Sequence, residues 1–350
     1  LVAYGYNVAL VIPYKEEEKI EIEGISIYPV KEPENRIDRI INTINQVKKT
    51  AFTLDAEIYH FHDPELIIVG LLLRLKGKKV IYDIHEDYLT SIQQKRYLKI
   101  FRFPISWAFF LLEKLSSNFF DLILAEKYYL NRYPKGTVIC NYPALSKIAS
   151  VTNNNDLCQN NNLIKLIYTG NVTEDRGALI HASIVNLIEN LELYFVGRCP
   201  AEIANKIRTI AGVSVSKIRI IGENSYVNYK KILSFYQSYD WTAALAIFPS
   251  TRHYRQKELT KIFEYMACGI PIICSNFPVW KTLVEDNGVG LSVDPQSENS
   301  IVKAVTYLKD NPNEAKEMGN RGKNLVYNQY NWESESKKLL QLYQNILESH

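Results

Sequence analysis

Short runs of β-branched and other apolar residues alternate with stretches of helical period along most of the chain. In the first half the runs fall at 7–12, 27–30, 57–61, 79–83, 122–125 and 138–139, with helical periods between them at 36–51, 66–75 and 105–119. Parallel neighbours need a crossover, usually a helix, so this alternation predicts a parallel sheet. A polar stretch then interrupts, Thr152 to Asp156 and Gln159 to Asn162. It can bury little surface and reads as a linker or mobile loop. The alternation restarts with strands predicted at 163–169, 193–196, 218–221, 242–247, 270–274 and 290–293. A final amphipathic helix runs from Trp332 to about Leu347, with Leu339, Leu340, Leu342, Tyr343 and Ile346 on one face.

The pattern predicts an α/β protein of two doubly wound, Rossmann-like domains facing each other across a cleft. The first is 1–145, with the C-terminal helix 333–350 packing back on it; the second is 146–332. In such sheets ligands sit beyond the carboxyl ends of the strands. Leu1 to Tyr6 reads as a helix end with a stop at Gly5. A doubly wound domain opens with a strand and a phosphate-facing turn before that helix, so such a segment is expected ahead of Leu1.

Composition narrows the class. The 350 residues are 47% hydrophobic and 23% charged, with a net charge of +3, so no global field argues for nucleic acid. Twenty-four tyrosines and four tryptophans suit sugar faces and lipid headgroups, although most are expected in the core. Cys140, Cys158, Cys199, Cys268 and Cys274 are scattered without zinc or redox spacing, which points to a reducing cytoplasm. The apolar run 105–112 is too short to span a bilayer.

Two segments carry candidate chemistry in the second half. Tyr168-Thr169-Gly170-Asn171 to Arg176-Gly177 reads as a strand, a turn and a helix start, where free amides and Arg176 suit a diphosphate. The bland alternative is an ordinary polar loop with a solvated arginine. Lys261-Ile262-Phe263-Glu264-Tyr265-Met266-Ala267-Cys268-Gly269-Ile270-Pro271 places Lys261 and Glu264 three apart on one helix face, with a stop at Gly269. The carboxylate could bind a ribose diol and the lysine could reach phosphates. A solvated surface pair of little worth is the alternative.

In the first half, Tyr59-His60-Phe61-His62-Asp63-Pro64 and Tyr82-Asp83-Ile84-His85-Glu86-Asp87-Tyr88 each end a strand and enter a helix. A backbone carbonyl is the expected partner of His60. A metal site from His60, His62, His85 and nearby acids is chemically open, but no closed ligand set shows typical spacing. Basic and aromatic residues interleave from Lys95 to Pro104 and run into Ile105 to Phe110. The stretch 95–110 is either a peripheral contact with an anionic membrane or a surface helix with snorkelling side chains.

These blocks, in this order, resemble the glycosyltransferase family 4 enzymes, also called group 1 glycosyltransferases, of the GT-B fold. Lys261 to Pro271 is similar to that family's nucleotide-sugar helix, and Gly170-Asn171 with Arg176-Gly177 to its diphosphate loop. The family usually has arginine where Asn171 stands and lysine where Arg176 stands. Of its two glutamates, Glu264 matches the second, the ribose ligand; the first falls on Gln256, with Glu258 two residues on. The His-Asp and Asp-x-His-Glu segments resemble the family's, which implies that His85 lies near the donor sugar.

The resemblance implies a hexosyl or related transferase that uses a nucleotide-sugar donor and a saccharide or lipid-linked acceptor. It further implies retention of anomeric configuration, no cofactor or metal, and a role in cell-surface polysaccharide synthesis. The expected location is cytoplasmic, with peripheral attachment at the inner membrane face as an option. The expected catalytic residues are His85, Arg176 and Lys261. Donor contacts fall to Gly170, Asn171, Arg176, Lys261, Glu264 and Gln256, and His62, Asp63 and Glu86 lie on the acceptor side. A sugar-nucleotide 2-epimerase and a non-catalytic nucleotide-sugar-binding protein are the alternatives.

Overall fold

A computed structural model describes residues 1–14, 20–94, 101–149 and 163–349. The polar stretch 152–162, Cys158 and residues 95–100 lie outside the described residues. The chain divides into two compact units, Leu1–Cys140 with Ser336–His350, and Asn141–Glu335.

The first unit contains strands β1 (Val8–Pro13), β2 (Ile20–Ile22), β3 (Ile25–Val30), β4 (Ile58–Phe61), β5 (Lys79–Ile84), β6 (Asp121–Leu124) and β7 (Thr137–Val138). They form a three-stranded sheet ordered β1-β3-β2 and a four-stranded parallel sheet ordered β4-β5-β6-β7. β5 shows why the apolar run was continuous. Val80, Tyr82 and Ile84 pack on one core with Ile67, Leu122 and Leu124. Ile81 faces the other, with Ile123, Tyr343 and Ile346. A strand covered on both faces loses the alternation of a half-exposed one. β2 was not expected; it pairs antiparallel with β3 beside a charged segment that masks so short a strand. Asp87 and Glu113, the latter on the helix Arg102–Ser116, are both buried. The two Tyr82 and Tyr133 hydroxyls donate to the two Glu113 oxygens at 2.6 and 2.7 Å.

The second unit holds β8 (Ile164–Thr169), β9 (Leu191–Cys199), β10 (Ile218–Glu223), β11 (Ala243–Ala246), β12 (Ile272–Ser275) and β13 (Gly290–Val293). All pair in parallel in the order β10-β9-β8-β11-β12-β13. From β8 the chain first winds outward through β9 and β10, then returns to β11 and winds the other way. The reversal places a crevice beyond the carboxyl ends of β8 and β11, the usual ligand position in a doubly wound sheet. Among the described residues no helix is long and apolar enough to cross a membrane.

Candidate functional site

Beyond β8 the chain turns at Gly170, with φ +94°. Its amide donates to the Val196 carbonyl at 2.9 Å. Gly197, at the end of the neighbouring strand, packs so closely that a Cβ there would lie 2.0 Å from the Gly170 oxygen. Gly177 is fixed by the same crowding: φ is +79° and a Cβ would lie 1.9 Å from the Ile247 oxygen beyond β11. The helix does not start straight after Gly170, as the sequence suggested. A single turn, Glu174–Arg176, comes first, and the helix Ala178–Leu187 begins after Gly177.

The helix Thr260–Cys268 connects β11 to β12 and ends at Gly269 in the left-handed conformation. It carries Lys261 and Glu264 into the crevice, and both are partly buried. Lys261 Nζ donates to the Thr169 carbonyl at 2.6 Å and sits 3.8 Å from the centroid of the Tyr168 ring. Burial, with Arg176 as a second cation nearby, holds this ammonium well below its ordinary pKa, against the opposing pull of Glu264. Glu264 shifts the other way: burial raises its pKa, although Tyr236 donates to Oε2 at 2.9 Å. Arg176 is partly buried and hydrogen-bonds to Tyr254, whose hydroxyl donates to Asp175 at 2.6 Å. Asn171 and Gln256 are exposed. Glu258 accepts from Tyr142 at 3.3 Å, within the same unit.

Tyrosines hold this arrangement. Tyr265 accepts from the Thr169 amide at 3.1 Å and from the Thr169 hydroxyl at 3.2 Å, while Tyr236 meets the same hydroxyl at 2.7 Å. The sequence did not single out His181, which is fully buried with its ring 4.9 Å from Tyr168. Its Nε2 accepts from the Ile247 amide at 3.2 Å, and burial, with Lys261, lowers its pKa to about 3. It is therefore a neutral prop beneath the turn.

In the first unit, β4 and β5 end side by side, with His60 opposite Ile81 and Phe61 opposite Tyr82. Three imidazoles converge there on one carboxylate oxygen. Asp83 Oδ2 lies 3.3 Å from His60 Nε2, 3.3 Å from His62 Nδ1 and 3.0 Å from His85 Nε2. Asp83 Oδ1 is buried and has no partner among the described residues. Burial alone would raise the Asp83 pKa, but the three histidine hydrogen bonds outweigh it and hold the carboxyl below its ordinary range. His60 is not satisfied by a backbone carbonyl, as expected; its Nδ1 meets the Tyr343 hydroxyl at 2.8 Å. The ligand atoms of His60, His62 and Asp83 lie within 4.8 Å of one another, a spacing that a divalent cation can draw together.

Of the other acceptor-side residues, Asp63 forms an ion pair with Arg39 at 3.0 Å and Glu86 is exposed. Neither joins the histidine cluster among the described contacts. The loop that carries His85 and Glu86 is anchored by buried Asp87. That carboxylate takes both nitrogens of Arg132, at 3.1 and 3.5 Å, and also accepts from the Thr90 amide at 3.4 Å.

Residues 214–325, which include the Lys261–Glu264 helix, match the sequence profile of the family described as "Glycosyl transferases group 1". No curated protein matches the sequence. Sucrose-phosphate synthase from Thermosynechococcus elongatus superposes with a TM-score of 0.77 at 18% identity, covering 100% of this chain and 91% of that one. A glycosyltransferase from Rickettsia africae gives 0.66 at 14% identity, covering 93% and 86%. Anabaena Alr3699/HepE in complex with UDP gives 0.68 at 8%, covering 97% and 100%. At these identities the likeness is one of fold: two Rossmann-like α/β domains of the GT-B type.

Proposed function

We propose that the chain is a nucleotide-sugar-dependent glycosyltransferase whose donor diphosphate binds at the β8–β11 crevice of the second unit. The observation that carries this reading is the pair of cations, Arg176 and Lys261, beside the Gly170 turn. Burial and the neighbouring Arg176 both lower the pKa of Lys261, against the opposing pull of Glu264. A diphosphate would relieve that repulsion and accept hydrogen bonds from both side chains. Glu264, three residues along the same helix, would take the ribose hydroxyls. Asn171 and Gln256 border the site at its exposed rim.

During transfer the bond between the anomeric carbon and the diphosphate oxygen breaks, and negative charge grows on the departing group. Arg176 and Lys261 stand ready to stabilise it, a preorganised device that water cannot match. An acceptor hydroxyl forms the new bond on the same face as its proton passes to the departing diphosphate oxygen, giving retention without a carboxylate nucleophile. His85, oriented by Asp83, would contact the transferred sugar, and His62, Asp63 and Glu86 the acceptor, a saccharide or a lipid-linked saccharide. Catalysis would need no metal ion. Cell-surface polysaccharide synthesis, in the cytoplasm, is the role that fits such an acceptor.

The test is thermal stabilisation by UDP-, GDP- and ADP-sugars in EDTA, for the native chain and Glu264→Ala. UDP-sugars come first because the Anabaena neighbour was solved with UDP. One nucleotide class should raise the melting temperature, and Glu264→Ala should abolish most of the shift. No shift with any donor, or an equal shift in the variant, removes the assignment.

A further inference from the structure

The helix Arg102–Ser116 is inverted. Its fully buried positions are polar: Ser106 is 0% exposed, Glu113 1% and Ser116 3%. Phe103, Trp107, Leu111 and Leu115, spaced by four, form one outward stripe, each 49–59% exposed. Ile105 and Leu112 widen it. Together these six side chains present on the order of 500 Å² of apolar surface, at the upper end of the largest patch on an ordinary monomer. A helix on a water-facing surface turns its apolar stripe inward; this one packs Phe109 on the core but leaves the wider apolar stripe outside, and it buries a carboxylate that accepts from two tyrosines.

The charges follow the same inversion. Among the described side chains of the helix, the acid, Glu113, is inside and the base, Lys114, is outside. Lys114 is seven residues from Trp107 and therefore in line with it along the stripe. The helix Ile67–Leu75, which contacts this one, exposes Ile68, Leu72 and Leu75 and carries exposed Arg74 near its end, with exposed Lys76 just beyond. Apolar side chains, an indole and cations without outward acids form the chemistry of a surface that lies in an anionic lipid interface.

We propose that these two helices dock the first unit onto an anionic membrane surface, with the Phe103–Leu115 stripe entering the headgroup–acyl boundary. The proposal does not depend on the transferase reading, and its test uses neither donor nor acceptor. The chain is sedimented with vesicles of phosphatidylcholine, or of phosphatidylcholine with about one third phosphatidylglycerol, across a salt series. The native chain should partition onto the anionic vesicles at least ~10-fold more strongly than onto the neutral ones, less so at high salt. The triple variant Trp107→Gln, Leu111→Gln, Leu115→Gln should lose ~10-fold or more while melting at the native temperature, because the replaced side chains are exposed. Lys114→Glu provides a second variant that leaves the apolar stripe intact and should weaken only the anionic binding. Equal affinity for both vesicle types, no binding, or undiminished binding by the triple variant would overturn the proposal. So would a native dimer that the triple variant converts to monomer, which would make the occupant a second copy of the chain.

Discussion

Replacing Lys261 by Met should stabilise the free protein and weaken nucleotide binding, two effects of opposite sign from one substitution. The ammonium gains one hydrogen bond, to the Thr169 carbonyl at 2.6 Å, and the face of Tyr168 at 3.8 Å. Burial and Arg176 together exceed those gains, since the pKa lies below its ordinary value. Methionine keeps the unbranched shape and removes the charge. Replacing a poorly compensated buried charge by an apolar group is often stabilising by about 1 kcal/mol or more, or about 2–4 °C in a domain of this size. A lost charge-assisted hydrogen bond to a diphosphate costs about 1.5–3 kcal/mol, so UDP affinity should fall roughly 10- to 150-fold. The pH dependence carries a sign as well. Because the folded pKa lies below the unfolded one, near 10.4, the unfolded chain binds more protons between the two values. Stability should therefore rise with pH across that interval in the native chain, and this contribution should be absent in the variant. Calorimetric melting and nucleotide titration measure both effects. A variant that binds UDP within about threefold of the native chain would refute the role given to Lys261.

Gly177→Ala should cost about 3 kcal/mol or more, because the left-handed backbone and a Cβ 1.9 Å from the Ile247 oxygen both oppose it. Denaturant unfolding within 1 kcal/mol of native would contradict that packing. Asp83→Asn should destabilise the protein at neutral pH. The depressed pKa of Asp83 gives stability that is fully present above the unfolded value near 3.9 and is lost as pH falls through the folded one. The difference between native and variant melting temperatures should accordingly shrink below about pH 4, and a constant difference would count against the histidine cluster as its source.

The elements that the sequence shows best are those with a purely local cause. Parallel strands covered on both faces appear as apolar runs, so β5 and the second-unit strands were found to within a few residues. Gly269 marked its helix end because the left-handed turn needs it there. Lys261 and Glu264 shared a helix face by spacing alone. Their environment did not show. Tyr236 and Tyr265 reach Thr169 and Glu264 from 28 to 96 residues away, and Tyr343 reaches His60 across 283. Such partners depend on topology, which no local window contains. The inverted helix escaped for a related reason: a mostly apolar segment shows the same period whichever face is inside, and only the position of Glu113 settles it.

Buried charges in this molecule fall into two kinds, and the difference separates scaffold from site. Both Glu113 oxygens accept short hydrogen bonds from tyrosines, and Asp87 is gripped by both nitrogens of Arg132. These hydrogen bonds fix both groups and rigidify the fold, although burial still raises the pKa of Glu113. Asp83 instead collects three histidines on one oxygen and leaves the other buried and unpartnered. Lys261 uses one hydrogen bond among the described residues while facing a second cation. Burial and the second cation lower the pKa of Lys261 and cost stability, so its retention needs a reason outside folding, whereas the three histidines stabilise the Asp83 carboxylate. Asp83 lies near the carboxyl end of β5, and Lys261 reaches the carbonyl at the carboxyl end of β8, the positions where such a fold opens to ligands.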